Sequence, residues 1–394
     1  MSSVVFMLTA ALLLFILASQ LFDRATAALS VLAFLSIRDV AFAAADLRPY
    51  APGIALVLAS MLALLRLARK GRPGDAIIYT VSIAAVVHVH YLFALIIIAH
   101  AAYLWASGGW RTLRRGSWII LGVGVPSLCL PALPGLIDFA ARRETLASPF
   151  GSKPYGILFV PILFLGVLLF VRTRSWADRR PLEQGTLALV SLWAIAPPLF
   201  LYLASAITDT NVFQARYALS STPALAILVG MVLRTIPTRI LAFGVAASLL
   251  ITTTLTSRYS EHWVEDWQAA QRYIQTVSAP RHLLLVRAGL VESQDIGWLS
   301  DGERISYLTS PLSYYRVPGE IVALPFDASR DAVRFLETVS RRALDSGMPF
   351  VVVTNYSHVL DDWFRIRFAT TRFEPSQRRD FGVVSVTHFR PQER

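Results

Sequence analysis

The sequence predicts a polytopic α-helical membrane protein of about ten spanning helices, followed by a water-soluble α/β domain. The 394 residues include only 16% charged residues and have a mean hydropathy of +0.53, whereas about a quarter of a soluble domain is charged. Before residue 258 the apolar residues gather into long runs separated by short basic segments. Residues 258–394 instead alternate short apolar runs with charged segments. We therefore predict a transmembrane domain over residues 1–257 and an α/β domain over residues 258–394.

Ten apolar runs approach the roughly 20 residues that a spanning helix needs. They are 4–21, 26–44, 51–68, 76–88, 90–106, 118–136, 155–171, 184–204, 217–234 and 240–257. The run 76–88 is short, so one bent helix over 76–106 is the alternative for that pair.

The distribution of charge predicts how these helices are oriented. Residues 258–394 hold 17 of the 37 basic and 17 of the 26 acidic residues, so the net charge of +11 belongs to residues 1–257. A basic soluble protein would suggest a nucleic-acid partner, but these cations lie in loops between apolar runs, so no nucleic acid is expected. One set of alternate loops holds 14 basic residues: Arg24, Arg66, Arg69, Lys70, Arg72, Arg111, Arg114, Arg115, Arg172, Arg174, Arg179, Arg180, Arg234 and Arg239. The other set holds five: Arg48, Arg142, Arg143, Lys153 and Arg216.

The 14-residue set should face the cytoplasm, because short cytoplasmic loops are enriched in Lys and Arg. The N-terminus and residues 258–394 are then expected outside the cytoplasm. A short uncharged N-terminus outside is unusual, so we expect an earlier helix to be missing. A cleaved signal peptide is the rival interpretation, but the apolar run has neither a basic segment before it nor a small-residue cleavage site after it.

Residues 258–394 contain the pattern of one α/β domain. Helices are predicted over 262–275 and 331–344, and strands over 282–286, 350–354 and 381–389. The domain has neither a Gly-rich phosphate loop nor a G-x-S-x-G elbow. Cys129 is the only cysteine of the chain, so no intramolecular disulfide can form.

Polar residues at the predicted outer ends of the helices are the candidates for function. Asp46, Arg48 and Tyr50 bring an acid, a guanidinium and a phenol together around Pro49, which fixes a turn. The structural alternative is an interfacial tyrosine with an Arg–Asp ion pair. Arg38 and Asp39 lie within the preceding apolar run, 26–44. They either pair with each other, extend their side chains to the membrane surface or have a functional role.

A histidine pair, His88 and His90, precedes Tyr91 at the outer junction of two predicted helices. A divalent metal there would need a third ligand, which Asp46 could supply. A structural pair at the interface is the alternative.

Two further outer segments carry cations. The loop 137–156 contains Arg142, Arg143 and Lys153, which suit an anionic group such as a lipid phosphate; a solvated charged loop is the alternative. Arg216 precedes Tyr217 at the predicted start of a helix, where backbone N–H groups already favour an anion.

Four segments resemble those of GT-C fold glycosyltransferases of family 39, which use dolichyl- or polyprenyl-phosphate sugars. They are FDRATAALSVLAFLSIRDVAFAAADLRPYAPGIAL, VVHVHYLFALIIIAHAAYLW, FQARYALSSTPALAILVGMVL and EDWQAAQRYI. In the family, an Arg-Pro-Tyr triplet follows the third helix, a His-Tyr segment comes later, an Arg-Tyr stretch lies near the last helices and Asp-Trp opens the extracytoplasmic domain. The order and spacing of the segments make the resemblance more specific than any one of them.

The resemblance implies that a sugar is transferred from a polyprenyl phosphate to an acceptor at the outer face of a bacterial inner membrane, as part of cell-envelope synthesis. An acid in the family's first outer loop serves as base or metal contact. This sequence begins at what resembles the second helix, so that acid is expected to be missing, and Asp46 is the acid best placed to act. Arg48, Tyr50, His90, Tyr91, Arg142, Arg143, Lys153, Arg216 and Tyr217 are the expected substrate-binding residues, and His88 is the expected metal contact.

Two other functions are compatible with the sequence. The first is a protein that binds a polyprenyl phosphate without catalysis, either alone or as partner of a chain carrying the missing segment. The second is a transporter or flippase, which usually shows inverted repeats and broken helices at mid-membrane. The sequence shows no repeat.

Overall fold

The computed structural model describes residues 2–45, 49–141, 184–208, 212–256, 265–355, 357–376 and 378–392. The chain divides into two compact units, Met1–Ser257 and Arg258–Arg394. The first unit is helical, and the second is built around a sheet.

Within the described residues, the helices of the first unit lie at the predicted runs, but the runs 26–44 and 118–136 are each divided into shorter helices. The helices of this unit are α1 Ser2–Leu21, α2 Arg24–Leu35, α3 Arg38–Ala45, α4 Tyr50–Lys70, α5 Pro73–Val89, α6 Ile96–Ala106, α7 Arg115–Ile119, α8 Val125–Cys129, α9 Leu133–Ala141, α10 Gln184–Thr208, α11 Thr222–Arg234 and α12 Arg239–Thr256. The predicted helix 155–171 lies outside the described residues. The protein is therefore a polytopic membrane protein with a C-terminal sheet domain.

Five helical segments within the described residues are long and apolar enough to cross a membrane: Ser3–Leu21, Tyr50–Lys70, Arg115–Ile137, Thr186–Ile207 and Arg216–Arg234. Shorter apolar helices occupy Pro73–Val89, Tyr91–Ala106 and Arg239–Leu255.

The predicted span 26–44 is not one straight helix, because α2 and α3, which are long and apolar enough together to cross a membrane, meet at an angle of 69°. At the bend, the Ser36 hydroxyl donates a hydrogen bond to the carbonyl of Leu32 (2.7 Å). The helix also tightens there, since the N–H of Ile37 donates to the carbonyl of Phe34 (3.1 Å), only three residues back. Arg38 and Asp39 follow the bend, and both side chains are exposed.

The runs 76–88 and 90–106 form separate helices. His90 between them has extended backbone (φ −158°, ψ 97°), and its N–H closes the last turn of α5 on the carbonyl of Val86 (2.9 Å). The chain resumes with a 3₁₀ turn over Tyr91–Leu95 that leads into α6. α5 packs on α4, whereas α6 packs mainly on α10.

Small residues allow the helices to pack closely. α2 lies along α11, and where they cross, a Cβ atom on Gly230 would lie 2.8 Å from the backbone nitrogen of Ser30. Backbones approach this closely in membrane proteins where the residue between them is small.

The second unit contains a six-stranded mixed sheet. The strands are β1 Leu283–Arg287, β2 Glu320–Ala323, β3 Phe350–Asn355, β4 Phe373–Pro375, β5 Arg379–Phe381 and β6 Val384–Pro391, in the order β2-β1-β3-β6-β4 with β5 also on β6. β1 runs parallel to β2 and β3, while β6 is antiparallel to β3, β4 and β5. The helices are α13 Trp267–Val277, α14 Gly302–Leu308, α15 Ser310–Ser313, α16 Arg330–Ser346 and α17 His358–Phe368.

Successive side chains of a strand point to opposite faces of the sheet, so the domain has two hydrophobic cores, one on each face. Leu283 and Leu285 contribute to the core that contains α16 and α17, while Leu284 and Val286 contribute to the core that contains α13. The predicted strand 381–389 is confirmed from Val384 onward as β6, whereas Phe381 belongs to β5, because Gly382 (φ +66°) turns the chain between the two strands.

Candidate functional site

Three separate segments of the first unit meet around the imidazole of His90. Its ring centroid lies 5.6 Å from that of Tyr50, 5.7 Å from that of Tyr217 and 4.3 Å from that of Phe93, on which it stacks. Tyr91 lies beside it at 5.9 Å. We call Tyr50, His90, Tyr91, Phe93 and Tyr217 the aromatic cluster. It joins residues that are more than 160 positions apart in the sequence, so it is a product of the fold.

Local backbone places each side chain of the cluster at a helix end. Pro49 is the N-cap of α4, and Tyr50 is the first residue of that helix. His90 occupies the extended position between α5 and the following 3₁₀ turn. Tyr217 lies on the 3₁₀ helix Ala215–Ser221, which begins after the extended residue Gln214 and leads into α11.

Two residues that sequence reasoning did not select help to build the cluster. Gly53 on α4 lets the ring of Phe93 approach, since a Cβ atom there would lie 2.8 Å from Cε2 of Phe93. Trp193 on α10 donates from Nε1 to the carbonyl of Ser220 (2.7 Å) and so fixes the 3₁₀ helix that carries Tyr217. A glycine and a buried tryptophan are ordinary in a membrane helix, and only the three-dimensional contacts distinguish them.

Arg216 supplies the positive charge of the site. Its guanidinium carbon lies 5.0 Å from the ring centre of Tyr217, in the geometry of a cation–π contact. Nε of Arg216 and Nδ1 of His90 are both buried and have no hydrogen-bond partner within the described part of the chain. Buried polar atoms normally have partners, so a donor and a ring nitrogen are available for a ligand. A guanidinium suits a phosphate or carboxylate above other ligands.

The structure does not bring His88 into the cluster. Its side chain is exposed and donates from Nε2 to the carbonyl of Leu128 (2.8 Å). Within the described residues, no group of three His, Cys, Asp or Glu side chains is arranged to hold a metal ion. The predicted divalent metal, with His88 and Asp46 as ligands, therefore gains no support from the described ligand set and stays a prediction.

Several predicted site residues lie outside the described part of the chain. These are Asp46, Arg48, Arg142, Arg143 and Lys153. Of the nine predicted substrate-binding residues, the structure therefore describes five: Tyr50, His90, Tyr91, Arg216 and Tyr217. All five belong to the aromatic cluster or contact it.

The chain is similar to known proteins over different lengths. A family model described as dolichyl-phosphate-mannose-protein mannosyltransferase matches residues 1–134, about a third of the chain, which includes Tyr50 and His90. Two crystal structures of ArnT from Cupriavidus metallidurans share the fold. The one bound to undecaprenyl phosphate is 14% identical, with a TM-score of 0.51, and the match covers 98% of this chain and 83% of that chain. The apo structure is 12% identical, with a TM-score of 0.53, and the match covers 98% and 82%.

No curated protein sequence matches the chain. At identities of 12–14% the structural likeness shows the fold alone. The fold is that of the GT-C glycosyltransferase ArnT, so the expected resemblance to GT-C glycosyltransferases is confirmed at that level.

Proposed function

We propose that this membrane protein transfers a sugar from a polyprenyl phosphate to an acceptor hydroxyl, with Arg216 and the aromatic cluster as its lipid-phosphate site. The observation that carries the proposal is the buried, unpartnered Nε of Arg216 beside the unpartnered Nδ1 of His90, at the helix ends where three separate segments meet. The family match and the shared fold support a polyprenyl-phosphate sugar as donor, since one of the similar structures holds undecaprenyl phosphate.

The reaction class suits these residues. The bond between the anomeric carbon and the phosphate oxygen breaks, and the anomeric carbon bonds to the acceptor oxygen, which loses its proton. Negative charge therefore moves onto the leaving phosphate, and a fixed guanidinium stabilises that charge without reorganising. Tyr217 is only half-buried, so its ring provides a partly apolar surface against which the first isoprene units can pack, whereas Tyr50 is buried in the aromatic cluster.

We assign the general base to Asp46. It precedes Tyr50 by four positions, and Arg48 by two, in the segment that opens α4. A carboxylate of this kind accepts the proton of the acceptor hydroxyl. Arg48, Arg142, Arg143 and Lys153 are further proposed contacts for the phosphates or the sugar, on the basis of their charge and their place in the predicted outer loops.

The site and residues 258–394 are proposed to face the outside of a bacterial inner membrane. The uneven distribution of basic residues between alternate loops supports this orientation. The acceptor would then be a component of the cell envelope.

The proposal is tested by turnover of the purified full chain. It is incubated in lipid–detergent micelles with a panel of undecaprenyl-phosphate hexoses and pentoses and a cell-envelope extract as acceptor. Release of undecaprenyl phosphate and a mass increase of one sugar on an acceptor are measured by mass spectrometry. Asp46→Asn should lower turnover by about 10²–10⁴-fold, the usual contribution of a general base, while retaining lipid binding. Asp39→Asn, an exposed acid on α3, is the matched control and should keep turnover.

Binding of undecaprenyl phosphate without turnover of any donor would favour the non-catalytic lipid-binding alternative. Movement of the intact lipid-linked sugar between leaflets, without transfer, would favour a flippase.

A further inference from the structure

A second charged region lies at the opposite ends of α4 and α5 from the aromatic cluster. α4 begins at Tyr50 in the cluster and ends at Lys70, and α5 returns from Pro73 to Val89, next to His90. At 1.5 Å per residue, the 21 residues of α4 span about 30 Å, which is the thickness of the hydrocarbon core of a bilayer. The two regions are therefore placed at opposite membrane surfaces.

Two basic loops are joined into one structure at this end. The carbonyl of Gly71 accepts hydrogen bonds from the backbone N–H of Arg114 (3.1 Å) and from the hydroxyl of Ser117 (2.7 Å). The hydroxyl of Thr112 donates to the carbonyl of Ala68 (2.8 Å). Gly71 has φ +61°, and a Cβ atom there would collide with the Thr112 carbonyl, so the contact requires glycine.

The joined loops expose six basic side chains, which we call the basic surface: Arg69, Lys70, Arg72, Arg111, Arg114 and Arg115. Asp75 is the one acid in segments 66–75 and 107–118, and it is buried and bonded to Arg66 (2.5 Å). None of the six forms an ion pair within the described residues. The surface therefore carries about six uncompensated positive charges in a small area.

Exposed indoles flank the basic surface. Trp105 is 76% exposed and Trp110 is 37% exposed, and their rings stack with centroids 5.9 Å apart. The guanidinium of Arg111 lies 5.1 Å from the ring centre of Trp110. Exposed tryptophans next to apolar helices are typical of the headgroup level of a membrane, where an indole contacts lipid and a guanidinium above it reaches phosphate.

We propose that the basic surface binds the headgroups of anionic phospholipids, with Trp105 and Trp110 lying at the interface below them. The surface is fixed by hydrogen bonds and lies at the membrane boundary, so its natural counter-ions are the phosphates of the adjacent leaflet. An acidic protein would not require the exposed indoles, which favour lipid.

The test measures lipid binding by the purified full chain in a neutral detergent. Native mass spectrometry and melting temperature are followed during titration with dioleoylphosphatidylglycerol and, separately, with dioleoylphosphatidylcholine. Phosphatidylglycerol should bind more tightly than phosphatidylcholine, and 0.5 M salt should remove most of this difference in affinity. The paired change Arg114→Gln and Arg115→Gln should weaken phosphatidylglycerol binding roughly 30-fold, since each cation near a membrane surface is worth about a factor of five.

The matched control removes the same charge elsewhere. Arg24 and Arg239 are exposed, and each begins a helix, α2 and α12, as Arg115 begins α7. Changing both to Gln should leave phosphatidylglycerol binding within about threefold of the wild type, because neither belongs to the basic surface. The pair Arg69→Gln and Lys70→Gln, on the last turn of α4, should behave like Arg114→Gln and Arg115→Gln, and replaces it if that variant does not fold.

Three outcomes would overturn the proposal. They are equal affinity of the wild type for the two lipids, unchanged phosphatidylglycerol binding in both surface variants, and an equal loss in the control pair. Equal affinity for the two lipids together with salt-sensitive capture of an acidic protein would instead assign the surface to a protein partner.

Discussion

Arg216 is the residue on which the proposed lipid-phosphate site depends most. Its substitution by Ala should weaken binding of undecaprenyl phosphate by about 1.5–3 kcal/mol, the range for hydrogen bonds to charged groups. Arg216→Lys should recover only part of this loss, because an ammonium lacks the planar fork of a guanidinium. Binding is measured by titrating the purified chain and following tryptophan fluorescence.

The matched control is Arg239→Ala, which removes an exposed arginine at the start of another helix, outside the aromatic cluster. It should leave the affinity unchanged. An Arg216→Ala protein that folds and binds undecaprenyl phosphate like the wild type would remove the guanidinium from the site.

For the individual site residues, the sequence predicted which chemical groups are present better than it predicted which of them are in contact. Tyr50, His90, Arg216 and Tyr217 stand out as polar or aromatic residues at the ends of apolar runs, and the fold brings them together. His88 is also a histidine near the end of α5, but it lies within the helix and its side chain contacts the carbonyl of Leu128, whereas His90 has extended backbone after the helix. The two histidines are two positions apart, and residue type does not report the direction in which each side chain points.

At the scale of the element, the crossing of α2 and α11 depends on Gly230. Gly230→Ala should lower the melting temperature, because the added methyl would overlap Ser30 and force the helices apart, an overpacking cost of about 1–3 kcal/mol. Gly244→Ala on α12 is the matched control, since a Cβ atom there has open space around it. It should leave the melting temperature unchanged or raise it slightly, as alanine favours helix.

Thermal unfolding of the two variants in the same detergent tests this prediction. Equal melting temperatures for Gly230→Ala and Gly244→Ala would mean that the crossing tolerates a wider separation than the structure shows.

Periodicity and apolar length predicted where helices exist, but not how they bend. The run 26–44 is mostly apolar, so length alone predicts one spanning helix, whereas the chain bends by 69° between α2 and α3. The strand predicted over 381–389 begins only at Val384, because Gly382 turns the chain within an otherwise β-type sequence. At Gly382, one residue overrides a pattern that its neighbours share.

At the scale of the whole molecule, residues 258–394 should fold by themselves. The unit has its own sheet and a core on each face of it, and about 130 residues are enough to bury a core. Expressed alone, it should be soluble and unfold cooperatively in urea, and it should show no glycosyl transfer. Turnover by this unit would contradict the placement of the site in the first unit.

The stability of that unit should fall in acid because of His388. This side chain is 4% exposed, and Arg390 donates to its Nδ1 (3.1 Å). Burial first, and then the charges of Arg390 and His282, lower the pKa of His388 from 6.5 to about 4. Between these values the unfolded chain binds more protons than the folded one, so the free energy of unfolding decreases as the pH falls from about 6.5 to 4.

The loss over that window should be on the order of 2–3 kcal/mol. Urea unfolding of residues 258–394 at several pH values measures it. His388→Phe, which cannot titrate, should flatten this part of the pH profile. An identical slope in the variant would assign the acid sensitivity to other groups.

The orientation of the protein in the membrane can be measured by cysteine labelling, because Cys129 is the sole cysteine of the chain. After Cys129→Ala, a membrane-impermeant maleimide applied to intact cells should label Gln392→Cys in the second unit. It should spare Ser107→Cys, which lies beside the basic surface, until the membrane is permeabilised. This orientation is expected because 14 basic residues lie in one set of alternate loops and five in the other. Labelling of Ser107→Cys but not of Gln392→Cys in intact cells would mean that the protein has the opposite orientation in the membrane.

The most direct measurement for the central claim is the location of the lipid phosphate itself. An undecaprenyl phosphate analogue with a diazirine next to the phosphate is photolysed with the purified full chain, and the labelled peptides are identified by mass spectrometry. Label is expected within residues 49–54, 88–93 and 212–222, and it should be removed by excess unlabelled undecaprenyl phosphate and reduced in Arg216→Ala. Competable label confined to residues 66–72 and 111–115, at the other ends of α4 and α5, would contradict the central claim.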